Sequence, residues 1–182
     1  MHTPLMELTP KNHKTLIDTA AIHNRVNDLA RQIERDYTHS DKVVLVCVLK
    51  GAKKVFQALS YALNIPHETA TIQVSSYMPG TYISDGDVSV VKPLNADING
   101  ADVVIVEDII DTGYSMRTIL DLLAIENPRS LRVCALLSKP SRRVVDVPID
   151  YLGFSIDDHF VFGFGIDVDQ KYRELGYIGY FE

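Results

Sequence analysis

The sequence predicts a doubly wound α/β fold, an open parallel sheet flanked by helices. Three observations carry that expectation. Continuous apolar runs rich in β-branched residues recur at Val43–Leu49, Val103–Val106 and Leu131–Leu137, the pattern of strands buried on both faces. Between them the apolar residues repeat at helical spacing, so strand and helix alternate through residues 43–137. Polar residues gather where the runs end, at Lys50-Gly51, Ser76-Tyr77, Glu107-Asp108 with Asp111, and Lys139. In an open parallel sheet those ends border one crevice, the usual place for a ligand.

Taken in order, residues 1–11 hold two prolines and little periodicity and read as an extended lead-in. Ile22, Val26, Leu29, Ala30, Ile33 and Tyr37 then form one apolar helical stripe, with Asn24, Arg25, Arg31 and Glu34 on the other side. After the strand at 43–49, Val55, Phe56, Leu59 and Leu63 give the next helix its apolar face, and Pro66 is expected to stop that region. Thr69–Ser75 alternates as a strand. Residues 78–90, with Pro79, Gly80 and Gly86, read as a mobile functional loop ahead of a plain hairpin, and Val88–Val91 as a short return strand. Asn99-Gly100 marks a turn before the central strand. Asn127-Pro128 breaks the chain after the following helix, and Asp150–Phe154 is a further strand. The tail, 157–182, is rich in glycine and aromatics and has no helical stripe.

Composition narrows the class. One domain with a full core fits in 182 residues, and 46% hydrophobic with 23% charged residues is ordinary for a globular protein. A formal charge of −6 argues against nucleic acid as the main partner. Cys47 and Cys134 lie inside apolar runs without C-x-x-C spacing and read as buried free thiols. No apolar stretch reaches the ~18 residues of a membrane span, and the opening M-H-T-P-L-M-E-L-T-P lacks the basic-then-apolar pattern of a signal peptide. The cytoplasm is the expected compartment.

The chemistry concentrates in residues 103–116, V-V-I-V-E-D-I-I-D-T-G-Y-S-M. The apolar run is expected to end at Glu107 and Asp108, followed three residues later by Asp111. Thr112-Gly113-Tyr114-Ser115 then opens a helix whose Met116, Ile119, Leu120 and Leu123 share one face. Glycine lets a backbone approach a ligand closely, and a helix start presents unpaired N–H groups and a positive dipole end to an anion. Thr112 and Ser115 add hydroxyl donors. An anion cradle beside a carboxylate cluster suits a ligand that combines phosphate, diol and metal. Neither a P-loop nor a Rossmann fingerprint is present.

The string E-D-I-I-D-T-G resembles the phosphoribosyl diphosphate (PRPP) motif of type I phosphoribosyltransferases, in the form found in the hypoxanthine-guanine branch. The resemblance extends over nearly the whole chain and implies that family's fold, with a small hood formed by the N- and C-terminal segments. It implies one domain over 1–182, with a core at about 40–155 and the hood from about 1–15 and 156–182. L-K-G at 49–51 resembles the pyrophosphate loop, in which the peptide bond before the lysine is commonly cis. Ser76 and Tyr77 resemble the start of a catalytic flexible loop. Lys139 matches the lysine that contacts the purine's exocyclic oxygen, Phe160 the stacking aromatic, and Val161 the residue whose backbone meets the base edge. Asp167 matches a carboxylate near base and metal, and Arg173 an arginine that binds pyrophosphate. Phe162, Phe164 and Met78 depart from the pattern, where an aliphatic residue, a tyrosine and a glycine are usual.

The resemblance implies purine salvage: phosphoribosyl transfer from PRPP to hypoxanthine, and to guanine, giving IMP or GMP and pyrophosphate. PRPP would contact Lys50, Gly51, Glu107, Asp108, Asp111, Thr112, Gly113, Tyr114, Ser115 and Arg173. Mg²⁺ would lie near Glu107, Asp108 and Asp167, and Asp111 would handle the proton at purine N7. A homodimer or homotetramer is implied in the same way. Three alternatives stand beside this reading: a regulator that uses PRPP as an effector, a phospho-acceptor signalling domain, and a transferase for xanthine, adenine or a pyrimidine. The negative charge weighs against the first, the D-T-G-x-S cradle against the second, and Lys139 with Phe160-Val161 against adenine and pyrimidine in the third.

Overall fold

A computed structural model describes residue 10, residues 12–75 and residues 88–181. Five strands in parallel form the main sheet: β2 (Val43–Val48), β3 (Glu68–Ser75), β5 (Asp102–Ile110), β6 (Ser130–Ser138) and β7 (Tyr151–Ser155). A sixth, β4 (Ser89–Lys92), pairs antiparallel with β3 at one edge, and the order across the sheet is β4-β3-β2-β5-β6-β7. All six residues of β2 and the first six of β5 are buried, as their unbroken apolar runs require.

Helix α1 (Thr19–Tyr37) starts where the Asp18 carboxylate accepts from the Ala21 amide at 2.8 Å, and it buries all six predicted stripe residues. Helix α2 (Lys53–Ala62) buries Val55 and Leu59 and ends before Pro66, because Leu63 already turns to extended backbone. Helix α3 (Tyr114–Ala124) buries Met116, Ile119, Leu120 and Leu123. The crossover β2–α2–β3 runs toward one edge of the sheet and β5–α3–β6 toward the other. Right-handed crossovers then put α2 and α3 on opposite faces and make the β2/β5 boundary the point where strand order reverses.

The tail and the segment before α1 meet in a second sheet. Strand β1 (His13–Ile17) pairs antiparallel with β9 (Ile178–Phe181), which pairs with β8 (Val161–Phe162). Here the structure adds strands in residues 13–17, which the sequence left unassigned between lead-in and helix, and in the tail, which showed no helical stripe. Both cysteines are buried free thiols, and burial pushes each up to about 12. Among the described residues no helix is long and apolar enough to cross a membrane.

Candidate active site

Strand β5 runs two residues beyond the acid pair, to Ile110, rather than ending at Glu107 and Asp108. Ile109 and Ile110 are β-branched and continue the ladder opposite Leu137 and Ser138 of β6. On the other side the β2 ladder stops at the Val106–Cys47 pair. The two carboxylates therefore follow the last β2–β5 pair, at the reversal point, where the chain turns through Lys50-Gly51. The Leu49–Lys50 peptide bond is cis, as the family likeness implies. Gly51 lies so close to the pair that a Cβ on it would fall 1.8 Å from Asp108 Oδ2.

Glu107 is buried, with only 8% of its surface exposed. Burial pushes its carboxyl well above the ordinary range, and the neighbouring Asp108 charge adds to this. Burial raises Asp108 too, against hydrogen bonding from Glu107 and the positive charge of Arg173. Two adjacent carboxyls that burial holds away from ionisation are a fitting donor set for a hard divalent cation, which takes oxygen ligands and restores the charge. Among the described residues no group of three His, Cys, Asp or Glu is placed to hold a metal, so Asp167 does not join the pair in one cluster. It accepts from the Gln170 amide at 2.7 Å and ion-pairs with Arg173 at 2.6 Å.

Helix α3 begins at Tyr114 behind Gly113, whose φ of 95° few other residues adopt. The first amides of such a helix have no partner within it and face whatever lies at its start. The close approach made by Gly113 is to the protein itself, not to a ligand as the sequence implied: a Cβ there would sit 2.3 Å from the Val145 carbonyl. The amides of Val144 and Val145 both donate to the Thr112 carbonyl at 2.9 Å, which ties this turn to the segment after β6.

A hollow of about 430 Å³ opens beside that turn, lined among others by Asp111, Lys139, Phe160, Val161 and Asp167. Four elements deliver these residues: the turn after β5, the end of β6, β8 and the loop beyond it. Lys139 is buried, and its ammonium reaches Asp158 at 3.3 Å. Phe160 is 65% exposed although aromatic, an open face for a flat ring. Val161 is buried in β8 opposite Tyr180. A second hollow of about 340 Å³ is lined by Lys50, Lys53, Lys54, Gly165 and Arg173, four cations around one space. Arg173 donates to the Gly165 carbonyl at 2.8 Å, and a Cβ on Gly165 would lie 2.2 Å from the Gly51 carbonyl, so tail and turn are pressed together. The Asp167–Arg173 pair spans the two hollows. Ser76 and Tyr77 lie outside the described residues.

Five residues here escaped the sequence reading. Arg142 and Asp158 face Asp111 and Lys139. Arg143 donates to the carbonyls of Asp111 and Ile110 at 3.0 and 3.2 Å and to Ser138 Oγ at 2.9 Å, which fixes the turn after β5. Lys53 lines the second hollow beside Lys54, whose ammonium donates to the Glu174 and Leu175 carbonyls and lies over the Phe164 ring. The two arginines follow Lys139 in the run K-P-S-R-R at 139–143, of which only the lysine matched a known role.

An acid pair at the reversal point, a helix start beside it and a cation-lined turn opposite define an enzyme of the type I phosphoribosyltransferase class. The pattern of the phosphoribosyl transferase domain matches residues 13–171, and the chain belongs to that family. It is 44% identical to the hypoxanthine phosphoribosyltransferase of Salmonella typhimurium, over 91% of this chain and 93% of that one. It is 42% identical to the hypoxanthine-guanine phosphoribosyltransferase of Mycobacterium tuberculosis, over 95% and 88% of the two chains. A solved hypoxanthine-guanine phosphoribosyltransferase from Bacillus anthracis superposes with a TM-score of 0.87 at 37% identity, covering 93% of this chain and 98% of its own. A hypoxanthine phosphoribosyltransferase from Staphylococcus aureus gives 0.89 at 34%, covering 100% and 97%.

Proposed function

We propose that this chain is a purine salvage enzyme that transfers the phosphoribosyl group of PRPP to hypoxanthine, and to guanine, releasing IMP or GMP and pyrophosphate. One observation carries the reading: Asp111, Lys139, Phe160 and Val161 line one hollow together with Ile109, the residue that follows the Glu107–Asp108 pair on β5, and Asp111 leads into the turn that opens α3. The 5′-phosphate takes the amides of Thr112–Ser115 and the two hydroxyls there. Glu107 and Asp108 accept from the ribose 2′ and 3′ hydroxyls and are the residues that would hold Mg²⁺; Asp167, ion-paired with Arg173, stands apart from them. The ion supplies charge neutralisation for the leaving pyrophosphate. Lys50, the Gly51 amide and Arg173 receive that pyrophosphate, and their fixed positive charge favours its departure.

The purine stacks on Phe160 with its edge along the Val161 backbone. The Lys139 ammonium donates to the 6-oxo group, which disfavours adenine, whose amino group would oppose it. Nitrogen N9 forms the bond to C1′ as the bond to pyrophosphate breaks, and Asp111 takes the proton that leaves N7. The whole chain works as one domain in the cytoplasm, as a homodimer or homotetramer, with no nucleic acid or membrane as partner.

The test gives the purified protein PRPP, Mg²⁺ and each base in turn, with nucleotide formation followed by absorbance. Turnover with hypoxanthine and none with adenine or uracil is expected. Turnover with adenine or a pyrimidine alone, or with no base at all, overturns the assignment. The hypoxanthine-guanine names of the mycobacterial and Bacillus relatives favour guanine as the second substrate.

A further inference from the structure

We propose that Arg142 is a positioning residue, which clamps one oxygen of Asp111 so that the other is aimed at the base. The two oxygens of this carboxylate are not equivalent. Oδ1 is buried and lies 2.8 Å from Arg142 Nε, without the alignment of a hydrogen bond. The side chain as a whole is 38% exposed and lines the base hollow, so the accessible oxygen is Oδ2, which takes no hydrogen bond among the described residues. A carboxylate with one oxygen held by a guanidinium and the other open has a fixed plane, which a freely rotating one lacks.

The same guanidinium reaches further. Its terminal nitrogen approaches Asp158 at 3.4 Å, and Asp158 is the counter-ion of Lys139 at 3.3 Å. A single line of alternating charge, Lys139–Asp158–Arg142–Asp111, therefore runs from the group that reads the 6-oxo oxygen to the group that handles the N7 proton. Those two atoms are neighbours on a purine, so their protein partners must be held at a fixed spacing. The short 3₁₀ turn Pro140–Arg142 sets that spacing, since it returns Arg142 toward the strand end from which Lys139 projects. Arg143, one residue on, binds only carbonyls and a hydroxyl among the described residues and does not share the role. The Arg142 guanidinium is held above its ordinary value first by Asp111 and then by Asp158, so it stays charged throughout the working range.

The inference rests on the proposed role of Asp111, and a double-mutant cycle separates the two. R142Q should lower kcat about tenfold with the KM for PRPP within twofold, and R142K should recover much of the loss. Arg142 is half exposed, so the thermal midpoint of R142Q should stay near that of the wild type. D111N alone should lose more than R142Q, and R142Q/D111N should be no slower than D111N. If R142Q turns over normally while D111N is slow, or if the two losses multiply, Arg142 does not act through Asp111 and the proposal fails. If D111N itself turns over normally, the reading of Asp111 fails first.

Discussion

Gly51 and Asp108 stand so close that no side chain fits between them: a Cβ on Gly51 would lie 1.8 Å from Asp108 Oδ2 and 2.6 Å from its Cγ. The contact joins the turn after β2 to the acid pair on β5, across the boundary where strand order reverses. Asp108 is the more movable partner, so Gly51→Ala should rotate its carboxylate rather than unfold the chain. PRPP affinity is expected to fall roughly tenfold, with the unfolding free energy lowered by about 1–3 kcal/mol. Isothermal titration with PRPP and Mg²⁺, beside a denaturant melt, reads both. Unaltered PRPP binding would show that the carboxylate's position is unimportant.

The acid pair carries a pH signature. Glu107 and Asp108 both titrate above their ordinary values in the folded chain, so above about 4.5 the folded state retains protons that the unfolded state has released. Stability from this source is full below that value and is lost as pH rises through the raised pKa. Without divalent ions, the melting temperature should fall with rising pH across this window, and Glu107→Gln should flatten the slope. Mg²⁺ should raise the midpoint more at pH 8 than at pH 5, because protonated carboxyls are poor ligands. A midpoint indifferent to Mg²⁺ at pH 8 would count against the pair as a metal site.

At the opposite end of β5, Asp102 behaves in the reverse sense. It is buried and accepts from Arg129 through both oxygens, from Ser40 at 2.6 Å and from Ser130 at 2.7 Å. The Arg129 hydrogen bonds hold it down at about 2. Its contribution is present above 3.8 and is lost as pH falls through about 2, a window that does not overlap that of the acid pair. Asp102→Asn should cost roughly 1–2 kcal/mol at pH 7, allowing for the half-exposed guanidinium, and the loss should shrink toward zero as pH falls below about 2. Acid titration of the unfolding free energy in both proteins decides this.

How much of this was legible in the chain depends on the range over which each feature is encoded. The runs 43–49, 103–106 and 131–137 name their strands because burial on both faces leaves no polar position, and Glu107, Asp108 and Lys139 stand out against that background. The extent of β5 was misjudged because the acids interrupt the apolar run without interrupting the ladder, which β6 continues on one side. Strands β1 and β9 were missed because His13–Ile17 and Ile178–Phe181 are short and find each other across most of the chain. Arg142 and Asp158 were invisible for a related reason. Their meeting depends on a 3₁₀ turn and on β7 delivering the tail to the end of β6, and no local spacing records either.

Lys139 gives the sharpest test of base selection. Its ammonium is buried at the end of β6 with Asp158 as its only ion-pair partner among the described residues, while Asp158 has Arg142 as a second. Removing the lysine charge therefore leaves Asp158 paired and the fold intact, and isolates the loss of the donor to the 6-oxo group. Lys139→Gln keeps a donor but adds an acceptor and removes the charge. A hydrogen bond from a charged group contributes about 1.5–3 kcal/mol, so kcat/KM for hypoxanthine should fall roughly tenfold to a hundredfold. The KM for PRPP should hold, since the lysine lines the base hollow and not the cation-lined one. Adenine, whose amino group the ammonium repels and an amide carbonyl accepts, should gain relative to hypoxanthine. Steady-state kinetics with both bases measures the ratio, and an unchanged preference would move the reading of the 6-position away from Lys139.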